Sequence, residues 1–313
     1  MTRRILEAAT RVLPVMALLF LPLLFGLETL YPWTRPGEAL IHQRPYLNPG
    51  FFLVRSALYF ACWLGCAYFL NRWSTLEDRT ADPSLAIRRR RLSGGGLLLY
   101  GLTVYFASVD WVMSTEPRWS SSIFGLLFVA SQALAAFALI TATAVFLSKD
   151  LRGLVTGPRL NDLGNLLLAA VMLWAYISFS QYLILWSGNL PREIPWVVKR
   201  TTAGWKMLAL VLVVLHFAVP FALLLFRRVK TRGPWIAAIA LGLLALRLVD
   251  DFWRVIPVFE PEGMALRWSY LTAPLGIGGI WVAIFTRALR HRPLLPLHDP
   301  VFQSLLAEAR DHE

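Results

Sequence analysis

The sequence predicts an all-α integral membrane protein with about eight transmembrane helices, and three observations predict it. Of 313 residues, 57% are hydrophobic and 16% charged, against roughly 45–50% and about 25% in soluble domains. Apolar windows long enough to cross a bilayer recur along the whole chain. Most of the 31 Lys and Arg residues fall at the N-terminal end, in the even-numbered connections and at the C-terminal end, the asymmetry that marks a cytoplasmic side. Both termini are therefore expected in the cytoplasm. The net charge of +12 then reports topology rather than nucleic-acid binding.

The windows cover residues 12–30, 50–71, 95–114, 122–148, 163–187, 205–226, 234–253 and 269–287. The first follows Arg3 and Arg4 as a signal peptide would, but Phe25, Gly26, Leu27 and Glu28 end it without a small-x-small cleavage site, so a retained helix is expected. The second carries Cys62 and Cys66 at i, i+4. As the only two cysteines, they leave no iron-sulfur cluster, CxxCH haem site or disulfide framework that this chain could build alone, and they read as small packing residues. Arg88 to Arg91 precede the third window as a topology anchor. The seventh is interrupted by Arg247, Asp250 and Asp251. Walker, GxGxxG, GxSxG and HExxH motifs are absent from the sequence, so any chemistry is expected inside the membrane.

The intramembrane polar residues are the candidate site. In the third window Tyr100, Thr103, Asp110 and Ser114 share one helical face. Ala107 interrupts that stripe, and Ser108 is expected nearly opposite. One account is a proton route ending at a carboxylate that costs a few kcal/mol to bury; the other is hydroxyls and small residues packing helix on helix. Gln132 in the fourth window, Ser178 and Gln181 in the fifth and His216 in the sixth lie nearer mid-membrane. If the helices bundle, His216, Gln181 and Gln132 line a common polar core, and an imidazole is the side chain whose charge changes near neutral pH. Arg247 stands three and four residues before Asp250 and Asp251, the spacing of an internal ion pair.

Four segments carry a resemblance: YLNPGFFLVRSALYFACW (46–63), SVDWVMSTEPRWSSSIFGLLF (108–128), YISFSQYLILWSGNLPREIPW (176–196) and RALRHRPLLPLHDPVFQSLL (287–306). In wording and order the chain resembles the ActF-type membrane subunit of alternative complex III, a quinol:cytochrome c oxidoreductase, within the wider NrfD/PsrC-like group. The resemblance implies residence in the bacterial inner membrane and two four-helix bundles, 1–150 and 151–290, followed by a cytoplasmic tail, 291–313. It implies an NrfD-like sister subunit, an iron-sulfur protein and c-type cytochrome subunits as partners. Haem c and iron-sulfur clusters would sit in those partners, with no cofactor bound by this chain alone and quinone or membrane lipid as its candidate ligands. It points first to Asp110, then Gln181 and Asp250, as proton-pathway positions. Two substitutions depart from the family pattern: Arg247 where a histidine is expected, and Arg192 in place of an acid. The chain also lacks counterparts of the family's first two spans. A purely structural anchor and a free-standing transporter are the alternative functions, the second without a clear inverted repeat or broken helix pair.

Overall fold

The computed structural model describes residues 2–35, 43–151, 154–202, 204–265, 267–295 and 302–303, and among them the regular elements are all helical. In chain order these are α1 (Thr2–Thr10), α2 (Leu13–Phe25), α3 (Leu27–Leu30), α4 (Pro49–Thr80), α5 (Pro83–Trp111), α6 (Phe124–Phe146), α7 (Gly157–Gly188), α8 (Ile194–Thr201), α9 (Trp205–Val211), α10 (Val219–Leu225), α11 (Arg227–Lys230), α12 (Gly233–Val255) and α13 (Ser269–Arg290), with short 3-10 turns between some of them.

Seven helices among the described residues are long and apolar enough to cross a membrane: Thr2–Phe25, Pro49–Thr80, Pro83–Thr115, Phe124–Phe146, Gly157–Gly188, Trp205–Leu225 and Ser269–Arg290. They match seven of the eight expected windows. The expected 234–253 window is also a helix, α12, but stands outside that set, and its last turns carry Arg247, Asp250, Asp251 and Arg254. The C-terminal tail falls largely outside the described residues.

The chain divides into two compact units, both discontinuous in sequence: residues 1–25, 54–103 and 277–313, and residues 26–53 and 104–276. In the first, the hairpin between α4 and α5 turns at Ala81, whose φ of 51° lies in the left-handed region. Asp82 then starts α5 before Pro83, and its carboxylate accepts the backbone N–H of Ser84 at 2.9 Å, an N-terminal cap with proline at the first helical position. The hydrogen bonds from Ser84 hold this exposed carboxyl below its usual range. Deeper in the same unit the Trp63 indole donates to Thr103 Oγ1 at 2.8 Å.

The second unit has its core where α6 packs against α7 and α12. Leu134, Leu167, Val171, Leu224 and Leu243 fill it, and Ala138, Ala142, Ala170 and Ala240 sit among them fully buried. Small side chains let helix backbones approach closely where lipid supplies no hydrophobic drive for association. Two glycines are required by contact. A Cβ on Gly125 would lie 2.3 Å from the Tyr105 ring, and one on Gly164 would lie 2.7 Å from Cγ of Lys230. Lys230 passes over Gly164 to donate to Asn165 at 2.6 Å.

Candidate functional site

The site in the second unit is built from α12 upward. Arg247, Asp250 and Arg254 recur at i, i+3 and i+7, so they share the buried face of the helix, whereas Asp251 is 43% exposed. Oδ2 of Asp250 accepts from Arg247 at 2.7 Å, from Arg254 at 2.6 Å and from the Trp174 indole N–H at 3.1 Å. Arg247 also pairs with Asp251 at 2.6 Å. The ion pair expected from the spacing is thus present, enlarged by Arg254 and by a tryptophan from α7. Removing both charges from water is costly, and three converging donors are what makes a buried carboxylate tolerable.

A second charged group lies on α8, in the connection between α7 and α9. Arg200 is 2% exposed, with its guanidinium carbon 3.9 Å from the centre of the Trp196 ring. Trp196 stacks in turn on Trp119, ring centres 4.6 Å apart. Arg200 donates to the Arg254 carbonyl at 2.6 Å and to Glu116 at 3.4 Å, while Lys199 meets Glu116 at 2.7 Å. Burial pushes the Arg200 pKa down to about 10, with Glu116 opposing the fall. The guanidinium is therefore still charged at neutral pH.

Between these groups lies a cavity of about 690 Å³, walled by α7, α8, the helix beginning at α9, and α12. Gln181, Ser178, Arg200 and Asp250 line it together with Trp174, Trp196 and Phe217. Both amide atoms of Gln181, Oγ of Ser178 and Nε of Arg200 are buried without a protein hydrogen-bond partner. Such orphaned groups cost about 1–3 kcal/mol each when nothing else satisfies them.

His216 lies just behind this wall. Residues Leu212–Ala218 form a π-helical stretch between α9 and α10. Pro220 accounts for it, since proline has no N–H for the His216 carbonyl four residues earlier and its ring crowds that carbonyl. A widened turn relieves the conflict, and such turns recur at functional sites. His216 is fully buried with its ring centre 4.2 Å from that of Trp174. Neither imidazole nitrogen has a protein partner.

The remaining candidates are dispersed. Asp110 is fully buried near the end of α5, where its carbonyl accepts the Ser114 hydroxyl. Tyr31 donates to the Trp111 carbonyl at 3.1 Å and packs with Trp33 and Phe52. Burial, with the Asp110 carboxylate nearby, raises the Tyr31 hydroxyl well above its ordinary range. Thr103 bonds the Leu99 carbonyl at 2.7 Å, and Tyr100 is 38% exposed. Ser108, expected opposite the stripe, is buried as deeply as Ala107, because this end of α5 is covered on more than one side. His216, Gln181 and Gln132 are not shown sharing one core: Gln181 lines the cavity and His216 packs on Trp174. Gln132 is exposed, and one position earlier on α6 Ser131 points inward, accepting Arg254 at 3.5 Å.

Arg200, Glu116, Trp174 and Ser131 are site residues that the sequence did not single out in these roles. A signal existed for the π-helical turn in Pro220, four residues after the only histidine in a span. No group of three or more His, Cys, Asp or Glu side chains among the described residues could hold a metal ion. No protein-family model and no curated protein matches this chain.

Proposed function

We propose that the chain is an integral membrane subunit of a quinol:cytochrome c oxidoreductase of the alternative complex III type, supporting proton translocation or quinol-linked electron transfer. The observation that carries the reading is the Asp250, Trp174 and His216 set, ionisable and aromatic groups buried together within apolar helices. Intramembrane ionisable residues are expensive and are retained chiefly on ion or substrate pathways. The four-segment resemblance supplies the type of complex, with an NrfD-like sister, an iron-sulfur protein and c-type cytochromes as partners in a bacterial inner membrane. Asp110 and Asp250 are the carboxylates assigned to proton movement, and the redox centres belong to the partners.

A second reading, a structural anchor without coupling, has its own support in the three donors that fix Asp250. Reconstituted vesicles separate the two. Asp110→Asn should lower the number of protons moved per electron more than it lowers electron transfer. An unchanged ratio in Asp110→Asn, with turnover intact, would leave the anchor reading standing.

A further inference from the structure

The cavity of the second unit is lined mostly by apolar side chains, with Ser178, Gln181, Arg200, Thr201, Asp250 and Arg254 among them. On α7 its lining runs from Met172 to Leu185, about 20 Å of helix at 1.5 Å per residue. Arg200 and Thr201 of α8 line it from one wall and Ser178 and Gln181 of α7 from another, while Met172, Ala175 and Phe217 supply apolar lining. Phe179, Tyr182 and Val213 are exposed at its edge, which leaves a lateral opening. Its volume of about 690 Å³ is within the roughly 300–1,000 Å³ of ligand sites.

The charges choose among amphipathic occupants. Lys199, Arg200, Arg247 and Arg254 face Glu116, Asp250 and Asp251, leaving one positive charge in excess. Gln181 offers an unused donor and acceptor, Ser178 an unused hydroxyl and Arg200 an unused N–H. An anionic oxygen would satisfy the two N–H donors, and a hydroxyl beside it would satisfy the Gln181 carbonyl. A zwitterionic headgroup brings a second cation to a site already in cationic excess. A neutral ring carbonyl leaves that excess in place.

We propose that this cavity binds one anionic membrane lipid of the phosphatidylglycerol class, its phosphate and glycerol hydroxyls at Arg200 and Gln181 and one acyl chain along α7 toward Phe217. The site is built from this chain's residues alone, so it is tested on the full-length chain as it is purified, with any subunits that accompany it. Native mass spectrometry counts the lipid retained, and quenching of Trp174, Trp196 and Trp253 by phosphatidylglycerol brominated in its acyl chain reports where it sits. One copy of phosphatidylglycerol should be held in preference to phosphatidylethanolamine. Arg200→Gln should weaken it about tenfold, the loss of one charge-assisted hydrogen bond.

Because Arg200 also holds Glu116 and the Arg254 carbonyl, Gln181→Leu is the companion variant. Gln181 has no protein hydrogen bond to lose, so that chain should fold and still lose the preference for phosphatidylglycerol. Ala175→Phe, which fills the cavity, should abolish the quenching. Equal retention of the two phospholipids overturns the proposal, as does equal binding of oleate. Displacement by a short-chain quinone that phosphatidylglycerol cannot reverse overturns it too, as does an unaltered lipid preference in Gln181→Leu.

Discussion

Each of the two units has its own arginine-carboxylate cluster, and the clusters are built differently. In the first, Arg3, Arg4, Arg89 and Arg292 interleave with Glu7, Glu77 and Asp78 across α1, the end of α4, the start of α5 and the segment after α13. Ser74 joins them by accepting from Arg3 at 2.6 Å and Arg4 at 2.9 Å. In the second, two arginines and an indole converge on one oxygen of Asp250, beside an apolar cavity edged by uncommitted neutral groups. The first cluster joins chain ends to helix ends, with Arg4 and Glu77 buried at its centre. The second places charge within helices, where it has to be compensated locally. Both clusters leave buried polar atoms unused, Arg4 Nε, Glu77 Oε1 and Arg292 Nη1 in the first and Gln181, Ser178 and Arg200 Nε beside the second, so the roomy apolar cavity next to the second is what distinguishes a candidate site from a latch.

That contrast predicts an order of effects. The largest belongs to Asp250→Asn, which leaves Arg247 and Arg254 without their shared carboxylate. Removing one partner of a buried pair costs about 3–5 kcal/mol, so thermal unfolding in detergent should fall markedly or the protein should fail to accumulate. A nearly unchanged transition would show that Asp250 does not need its charge. Next comes Glu77→Gln in the first unit. Of its two arginines, Arg3 keeps Glu7 and Ser74 as partners, so a loss of about 1–3 kcal/mol is expected, detected as loosening of α1 in hydrogen exchange. Gly125→Ala drives a methyl into the Tyr105 ring and should cost about 1–3 kcal/mol. Restoration by Tyr105→Ala in the double variant checks that the contact is the cause.

The smallest effect is at Glu260. Hydrogen bonds from Tyr270 and from the Ala265 N–H, with Arg267 alongside, hold its carboxyl below the usual range. A depressed carboxyl contributes stability above its ordinary value near 4.3, and that contribution is lost as pH falls through the folded value. Glu260→Gln should therefore lower the unfolding temperature slightly near pH 7, and the difference from the parent chain should vanish as pH falls through the folded value.

The helices were legible because each span is a long apolar window, and composition alone separates such a chain from a soluble one. The interior was less so. Ser178, Gln181 and Asp250 could be named from depth and spacing, since residues along one regular helix keep their phase. Gln132 was misplaced by a single position, because one residue turns a side chain through about 100°, and hydropathy does not fix the phase of a helix apolar all round. Arg200 and Glu116 belong to connections far apart in sequence, and only the fold brings them together. His216 lies in a π-helical stretch whose cause, Pro220, is visible in the sequence but whose stacking on Trp174 is not.

The most direct measurement of the central claim is gentle detergent purification through a tag on this chain, followed by a haem spectrum and identification of the co-purifying proteins. The account predicts a c-type haem band together with an iron-sulfur subunit and an NrfD-like sister. A stable, haem-free chain recovered without partners would contradict it.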